Sequence, residues 1–314
     1  MEFRRLGRSG PRVSEVGLGT WQFGGAWGRL DYETAREVVR AAHEAGVNFF
    51  DTAQVYGRGR SEEFLGRAIA ELGIRDEVVV ATKVPGEWLR YRDVKRALEG
   101  SLRRLGLDAV DLYQVHWPAC WENIPVSETM RAMEDLVREG LVRHIGLSNF
   151  PVCLMEEAQA SLRREEIVSN QLQYSLLVRD VEKELLPRMR ELGITLIAWS
   201  PLAKGALTGK YTPENLPEFK DVREGDPLFL RENFLRIWEL VKALREIGAR
   251  RGKTPAQVAL RWLLEDPLVV VIPGARRPEQ VRENAGASGW RLRRKEWELL
   301  DRLSRAVEIE WVTY

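Results

Sequence analysis

The chain has 314 residues, of which 44% are hydrophobic and 30% are charged, a composition typical of a protein with a large folded core. Its 48 lysines and arginines nearly balance its 47 aspartates and glutamates, which excludes a strong overall field favouring nucleic acid or an anionic membrane. We therefore expect a small neutral or singly charged ligand as the partner. The length allows either two ordinary domains or one α/β barrel.

The first residues contain no apolar export segment, and no run is long enough to span a bilayer, so we expect a cytoplasmic protein without membrane contact. Cys120 and Cys153 are too few for a disulfide framework, and we interpret both as small buried or half-buried side chains. His43, His116 and His144 do not follow a known metal-ligand spacing, so the sequence predicts no metal site.

The order of the elements decides between the two fold classes. Residues 3–15 carry Gly7, Gly10 and Pro11 between short apolar positions, which predicts a hairpin that caps one end of the fold. Eight β-branched or aromatic runs then alternate with eight amphipathic helical patterns. The predicted strands are 16–20, 47–52, 78–83, 110–116, 144–148, 167–173, 194–199 and 268–273. The predicted helices are 33–45, 61–72, 92–104, 127–139, 151–162, 181–192, 255–265 and 278–285.

This strict alternation, with strands rich in Val, Ile and Leu, is typical of a parallel sheet buried on both faces. The sequence therefore predicts a single α/β domain over residues 1–314, a (β/α)8 TIM barrel with an N-terminal hairpin cap. The segments 117–125, 201–251 and the tail after Arg294 interrupt the regular spacing. We expect extra helices after strand seven, at 231–251, and at the C-terminus.

A dinucleotide-binding fingerprint is the alternative interpretation of the glycines near the first strand. Gly17 and Gly19 have the correct spacing, but Gln22 stands at the position of the third glycine. We interpret these glycines as allowing a tight turn from strand to loop.

Three ionisable residues end three consecutive predicted strands, namely Asp51, Lys83 and His116, and Tyr56 follows Asp51 in a glycine-marked loop. The C-terminal ends of barrel strands converge, so we expect these four side chains in one site. Each residue alone has a purely structural alternative. Asp51 could cap a loop and Lys83 could extend its ammonium group to solvent. Tyr56 could be a half-buried packing residue, and His116 could be a core residue whose nitrogens are hydrogen-bonded. Because buried charges are costly unless paired, their joint position favours function.

The chemistry that suits this set is proton transfer to a carbonyl oxygen. A free tyrosine has a pKa near ~10, and lowering that pKa by ~2 units needs about 3 kcal/mol, which we expect the Lys83 ammonium to supply. Asp51 would hold Lys83 charged and in place, while neutral His116 would orient the carbonyl. No side chain here donates hydride, so a cofactor is implied.

These residues in their context resemble the aldo-keto reductases. The motifs Asp-Thr-Ala-Gln-Val-Tyr-Gly (51–57), Thr-Lys (82–83) and Gln-Val-His-Trp-Pro (114–118) are similar to the family's Asp, Tyr, Lys and His tetrad. The resemblance covers nearly the whole chain. It implies an NADP-dependent oxidoreductase that reduces aldehydes or ketones, with hydride from the nicotinamide and the proton from Tyr56.

Four further motifs, at 146–150, 170–174, 198–202 and 272–284, resemble the family's cofactor site. The resemblance implies that the first two bind the nicotinamide carboxamide. The third would stack an aromatic ring on the nicotinamide and approach the pyrophosphate, and the fourth would hold the adenosine end. The implied cofactor-binding residues are Ser148, Asn149, Gln171, Trp199, Ser200, Leu202, Gly274, Arg276, Arg277, Gln280, Glu283 and Asn284.

The chain departs from the family pattern at the adenosine end. Members resembling aldose reductase carry a Lys-Ser pair where Gly274 and Ala275 stand, so this chain looks closer to the bacterial and potassium-channel β-subunit branch. We expect Arg276 and Arg277 to bind the 2′-phosphate of NADPH, because guanidinium groups suit a phosphate monoester. The alternative is that both are solvated surface arginines, in which case NADH is possible.

For the carbonyl substrate, the resemblance implies a pocket lined by tryptophan. Its expected members are Trp21, Trp117, Trp121 and Trp311. Two other function classes stay open: a nucleotide-binding sensor or regulatory subunit with little turnover, and a lyase or isomerase on the same barrel. No motif identifies a protein partner.

Overall fold

The computed structural model describes residues 1–120 and 122–310. The chain begins with an antiparallel hairpin, β1 (Phe3–Arg5) and β2 (Arg12–Ser14), in which Phe3 lies opposite Ser14. The Gly10 amide closes the turn by donating to the Leu6 carbonyl at 2.9 Å. The predicted hairpin is confirmed.

Eight parallel strands follow, and each pairs with the next strand along the chain. The sheet closes where the amides of Gly17 and Gly19 donate to the carbonyls of Val271 and Pro273, at 2.8 and 3.3 Å. The predicted (β/α)8 barrel is therefore confirmed. The strands are β3 (Leu18–Gly19), β4 (Phe49–Asp51), β5 (Val79–Val84), β6 (Val110–Val115), β7 (Val142–Ser148), β8 (Ile167–Gln173), β9 (Thr195–Trp199) and β10 (Val269–Val271).

The helices surround the barrel, and local signals account for several of their ends. Asp31 accepts from the Thr34 amide at the start of α1, and Thr254 and Gln257 form a reciprocal cap at the start of α8. The helices are α1 (Tyr32–Glu44), α2 (Arg60–Leu72), α3 (Tyr91–Leu105), α4 (Val126–Arg138), α5 (Val152–Ser161), α6 (Leu185–Leu192), α7 (Arg231–Arg251), α8 (Pro255–Leu264), α9 (Pro278–Ala285) and α10 (Arg294–Arg305).

The two extra helices are confirmed as α7, which follows the seventh barrel strand, and α10, which packs against α7. Helix α6 begins at Leu185 instead of residue 181, after a short 3-10 turn over Asp180–Glu182. Pro187 explains this late start. A proline is tolerated in the first helical turn, where its missing amide hydrogen has no partner, but not farther along a helix.

The core has two layers, one between the sheet and the helices and one inside the barrel. Leu6 and Val13 of the hairpin close the inner layer at the N-terminal end of the strands. Toward the C-terminal ends of three neighbouring strands, the side chains that point into the barrel change from apolar to polar. Alternate residues of a strand share a face, so each change takes two residues: from Phe49 to Asp51, from Ala81 to Lys83, and from Leu112 to Gln114.

The expectation of buried cysteines is wrong, since Cys120 and Cys153 are both exposed. Cys120 lies in the loop after β6. Cys153 lies in the first turn of α5, whose buried face is formed by Met155 and Ala158, and a residue two positions from Met155 points away from that face. No helix within the described residues is long and apolar enough to cross a bilayer.

Candidate active site

A cleft of about 790 Å3 opens at the C-terminal ends of the barrel strands, where β/α barrels build their sites. Asp51, Tyr56 and His116 line it, as do the predicted pocket residues Trp21 and Trp117. All twelve residues predicted to bind a cofactor also line this cleft. Trp121 and Trp311, also expected in the pocket, lie outside the described residues.

Lys83 is buried beneath the surface of the cleft and is hydrogen-bonded to both Asp51 and Tyr56. Its Nζ donates to Asp51 Oδ1 at 2.5 Å, to the Thr52 carbonyl at 2.9 Å and to Tyr56 Oη at 3.4 Å. The Lys83 side chain is fully buried, and the Asp51 side chain is 2% exposed. This ammonium therefore touches the tyrosine hydroxyl while being shielded from water.

The direction of the pKa shift expected for Tyr56 is wrong. Burial raises the pKa of the Tyr56 phenol above its ordinary value, and the Lys83 ammonium offsets this shift only in part, while Asp51 adds to it. Burial also acts to lower the pKa of Lys83, but the Asp51 charge and the hydrogen bonds to Asp51 and Tyr56 raise that pKa overall. At neutral pH the site holds a protonated phenol beside an ammonium ion.

His116 completes the tetrad on the far side of Tyr56. The two rings lie 5.7 Å apart, edge to face, and the Trp117 ring lies 4.4 Å from the imidazole. Burial, with the nearby Lys83 charge, lowers the pKa of His116 to about 2. The imidazole is therefore neutral at physiological pH, as expected from the sequence, and can donate one hydrogen bond into the cleft.

The residues predicted to hold a carboxamide form one hydrogen-bonded group. Ser148 Oγ donates to the Gln171 carbonyl at 3.0 Å, and Asn149 Nδ2 donates to the His116 carbonyl at 3.0 Å. Trp199 Nε1 donates to Asn149 Oδ1 at 3.1 Å. Asn149 has a φ of 59°, a left-handed conformation that is uncommon outside glycine and concentrates at functional sites.

The turn after β9 has the same unusual backbone. Ser200, Ala203 and Lys204 have φ values of 50°, 49° and 54°. Such positions cost roughly 1–3 kcal/mol each and persist where the surroundings enforce them. Lys204 is held by an ion pair with Asp226, and it lines the cleft together with Ser200.

At the adenosine-end motif, the Arg276 amide donates to Gln280 Oε1 at 2.8 Å, and its guanidinium donates to the Arg29 carbonyl at 3.1 Å. Asn284 Nδ2 reaches the Gly274 carbonyl at 3.5 Å. Arg277 is exposed at the start of α9. The motif thus presents one tethered and one exposed guanidinium beside the cleft.

Several cleft residues were missed from the sequence. Gln22 occupies the space in front of Gly274, where any side-chain carbon would collide with the glutamine amide. A side chain at residue 274 would therefore require the end of the Gln22 side chain to move. The other missed residues include Trp27, Lys204, Lys210, Tyr211 and Arg223. Their one sequence signal is their place in loops that follow the first and seventh barrel strands.

Trp27 and Arg223 bring these two loops together. The Trp27 ring meets Trp21 edge to face at 5.5 Å, and the Arg223 guanidinium lies 5.2 Å from the Trp27 ring. Arg223 Nε also donates to Asp221 at 2.9 Å. The aromatic part of the cleft is thus built from both loops.

The chemistry of the cleft fits a nicotinamide dinucleotide. Five basic residues from the loops after the adjacent strands β9 and β10 suit phosphates, while hydroxyl and amide groups at the C-terminal ends of β7 and β8 suit a neutral carboxamide. Buried Gln22 Oε1 lacks a hydrogen-bond partner in the same cleft. The five basic residues are Lys204, Lys210, Arg223, Arg276 and Arg277. Across residues 1–120 and 122–310, no group of three or more His, Cys, Asp or Glu side chains is arranged to hold a metal ion.

Known proteins match this chain over nearly its full length. It is 38% identical over 303 residues to the aldo-keto reductase YhdN of Bacillus subtilis, covering 93% of this chain and 90% of that protein. It is 37% identical to a probable voltage-gated potassium channel subunit beta of Oryza sativa, covering 91% of each. It is 34% identical to the NADH-specific methylglyoxal reductase of Escherichia coli, covering 96% of this chain and 98% of that protein.

Solved structures agree. The glycerol dehydrogenase AKR11B4 of Gluconobacter oxydans superposes with a TM-score of 0.88 at 31% identity, covering 99% of this chain and 97% of that one. An aldo-keto reductase of Klebsiella pneumoniae in complex with NADPH superposes with a TM-score of 0.78 at 31% identity, covering 99% and 100%. The model of the aldo/keto reductase family matches residues 15–305. The chain therefore belongs to the aldo/keto reductase family.

Proposed function

We propose that this protein reduces aldehydes or ketones to alcohols with NADPH, and that Tyr56 donates the proton. The observation that carries the proposal is the contact of Tyr56 Oη with Lys83 Nζ, which Asp51 holds, in a cleft that His116 also lines. This contact supplies an acid next to a fixed positive charge.

The raised pKa of Tyr56 suits an acid in the reductive direction. The phenol keeps its proton until a substrate alkoxide, which is far more basic than phenolate, begins to form beside it. Lys83 then stabilises the phenolate that remains, and Asp51 keeps Lys83 in position. Neutral His116 donates a hydrogen bond that orients the carbonyl oxygen toward Tyr56.

For the cofactor, Ser148, Asn149 and Gln171 would bind the carboxamide, and the Trp199 ring would stack on the nicotinamide. When bound, the reduced nicotinamide supplies the hydride. Arg276 and Arg277 would bind the 2′-phosphate, and the NADPH complex of the Klebsiella relative supports this choice. The Escherichia coli relative is named as NADH-specific, so a cofactor panel includes NADH.

The substrate would lie against Trp21, Trp27 and Trp117, which line the cleft on the side of Tyr56 and His116. Rings at this position favour small carbonyl compounds with an apolar or aromatic body, because they bury apolar surface and offer few hydrogen bonds.

The decisive experiment is Tyr56→Phe. Removing only the hydroxyl should lower the rate of NADPH oxidation with a reactive aldehyde by roughly 10²- to 10⁴-fold, while NADPH binding, followed by fluorescence titration, stays unchanged. Tyr91→Phe is the matched control, since Tyr91 bonds to Asp135 outside the cleft and its loss should leave turnover intact. Full activity of the Tyr56→Phe variant would contradict the proposed role of Tyr56 as the proton donor.

A regulatory role is the second candidate, because one relative is named as a probable potassium channel β subunit. It predicts tight dinucleotide binding with negligible turnover over a broad panel of carbonyl compounds, together with a partner protein recovered from cell extract. Turnover by the wild type that Tyr56→Phe abolishes would decide for the enzyme.

A further inference from the structure

One buried residue beside the tetrad has no role in the mechanism above. Gln114 lies on β6 within the barrel, in register with Lys83 on one side and Gly146 on the other. Its side chain is fully buried. A glutamine amide inside a barrel is costly unless both of its ends are hydrogen-bonded, so its partners indicate why it is there.

The partners are Asp51 and Gln171. Gln114 Nε2 donates to Asp51 Oδ2 at 2.9 Å, and Gln171 Nε2 donates to the same oxygen at 2.9 Å. Gln171 Nε2 also donates to Gln114 Oε1 at 3.2 Å. One carboxylate oxygen and two amides therefore form a closed triangle, while the other carboxylate oxygen faces Lys83.

This triangle determines which way the Gln171 amide points. A carboxylate paired with a lysine only accepts hydrogen bonds, so each glutamine must present its nitrogen to Asp51. Gln171 Nε2 therefore donates two hydrogen bonds, one to Asp51 Oδ2 and one to Gln114 Oε1. The Gln171 oxygen is left to face the cleft, which Gln171 lines.

We propose that Gln114 is a positioning residue that couples the proton-donating group to the nicotinamide site. It holds Asp51 so that Oδ1 meets Lys83, and it orients Gln171 so that an acceptor faces the carboxamide N–H groups. The inference rests on the proposed function, because it concerns the same cofactor and the same proton donor.

Gly146 supports this assignment from the neighbouring strand. A side-chain carbon at residue 146 would lie only 2.8 Å from Ser169 Oγ, which is too close, and 3.0 Å from Gln114 Cγ, which is a tight contact. The absence of a side chain at Gly146 leaves the room in which the Gln114 side chain crosses the barrel toward Asp51 and Gln171.

The test is Gln114→Met, which keeps the length of the side chain and removes both of its polar ends. Two ligands are titrated by fluorescence and calorimetry: NADPH, and 2′-phospho-ADP-ribose, which lacks the nicotinamide. We expect NADPH binding to weaken by roughly tenfold and binding of the fragment to change by less than about twofold, since only NADPH uses the Gln171 acceptor. The kcat should also fall by roughly tenfold.

Gln159→Met is the matched control, because Gln159 accepts from the Ile167 amide on the outside of the barrel and should affect neither ligand. Gln114→Leu replaces Gln114→Met if the latter does not fold. In combination with Gln171→Leu, Gln114→Met should weaken NADPH binding little beyond Gln171→Leu alone, because the two residues act through one contact.

An equal loss of affinity for both ligands, or no loss for either, would overturn the role of Gln114 while leaving the proposed reductase in place. A wild-type protein that binds NADPH no more tightly than the fragment, and that oxidises no NADPH, would overturn the inference and the proposed function together.

Discussion

Two buried ionic clusters lie at opposite ends of the barrel, and the one at the C-terminal end borders the cleft of the candidate site. At the N-terminal end, Glu15 pairs with Arg261 at 3.1 Å and with Arg4 at 2.6 Å, and Arg4 also donates to three backbone carbonyls. At the C-terminal end, Asp51 pairs with Lys83 at 2.5 Å. Both clusters exclude water almost completely.

The difference lies in what each cation touches next. Arg4 belongs to the hairpin and Arg261 to α8, and burial lowers the pKa of both. Lys83 instead contacts the hydroxyl of Tyr56, whose ring lines the cleft. A buried charge alone is therefore no sign of reactivity. A buried charge that reaches a titratable group with access to a cleft is such a sign.

Among the changes that compare the two clusters, Lys83→Met has the largest expected effect on turnover. Removing the ammonium takes away the charge that stabilises the Tyr56 phenolate, so turnover should fall by roughly 10³-fold, or about 4 kcal/mol on the barrier. The measurement is steady-state NADPH oxidation on protein whose folding is checked by circular dichroism. A loss of less than about tenfold would mean that the two clusters do not differ in reactivity.

Arg261→Met is the matched change at the other end. It leaves Glu15 with Arg4 as its remaining cation within a buried site, so the free energy of unfolding should fall by about 3–5 kcal/mol. Turnover per folded molecule should be unchanged. Urea unfolding and the same activity assay test both statements, and a selective loss of turnover would contradict the purely structural role of this cluster.

Arg276→Ala combined with Arg277→Ala tests the cations at the far side of the cleft. NADPH binding should weaken by about 1–3 kcal/mol and NADH binding should barely change, because only NADPH carries the 2′-phosphate. Arg163→Ala with Arg164→Ala, an adjacent exposed pair just before β8, is the control. Equal losses for NADPH and NADH would argue for another 2′-phosphate site.

The smallest expected effect is the change in the rate of carbonyl reduction with pH. The pKa of His116 is about 2 and the pKa of Tyr56 is raised, so neither group should titrate between about pH 5 and about pH 9. The rate should stay within about twofold over this range, and should fall only as rising pH deprotonates Tyr56. A step near the ordinary histidine pKa of ~6.5 in the pH–rate profile would contradict the neutral imidazole.

Much of the fold followed from local pattern. The alternation of apolar runs with amphipathic segments predicted each strand and helix of the barrel, and the apolar periodicity at 231–251 predicted α7 with the observed bounds. The exposure of Cys120 and Cys153 did not follow, because it depends on which side of a loop or helix faces the barrel.

For the candidate site, the sequence predicted that Asp51, Lys83 and His116 lie close together, but it did not predict their electrostatics. Asp51, Lys83 and His116 stand at strand ends, so their convergence follows from the barrel itself. The rise in the pKa of Tyr56 depends on how completely its neighbours exclude water, which no local pattern encodes. The position of Gln22 in front of Gly274 depends likewise on contact between distant loops.

The sequence by itself determined the barrel and the family, and it predicted that Asp51, Lys83 and His116 meet at one end of the barrel, because strand period, helix period and motif spacing are local properties. Only the tertiary structure decided that Glu15 meets Arg261, 246 residues away, and that Gln114 meets both Asp51 and Gln171. Such contacts depend on closure of the barrel, which brings residues from opposite parts of the chain into a space without water. Because water is excluded there, ionisable groups that lie together have shifted pKa values, and buried amides are held in one orientation by their hydrogen bonds.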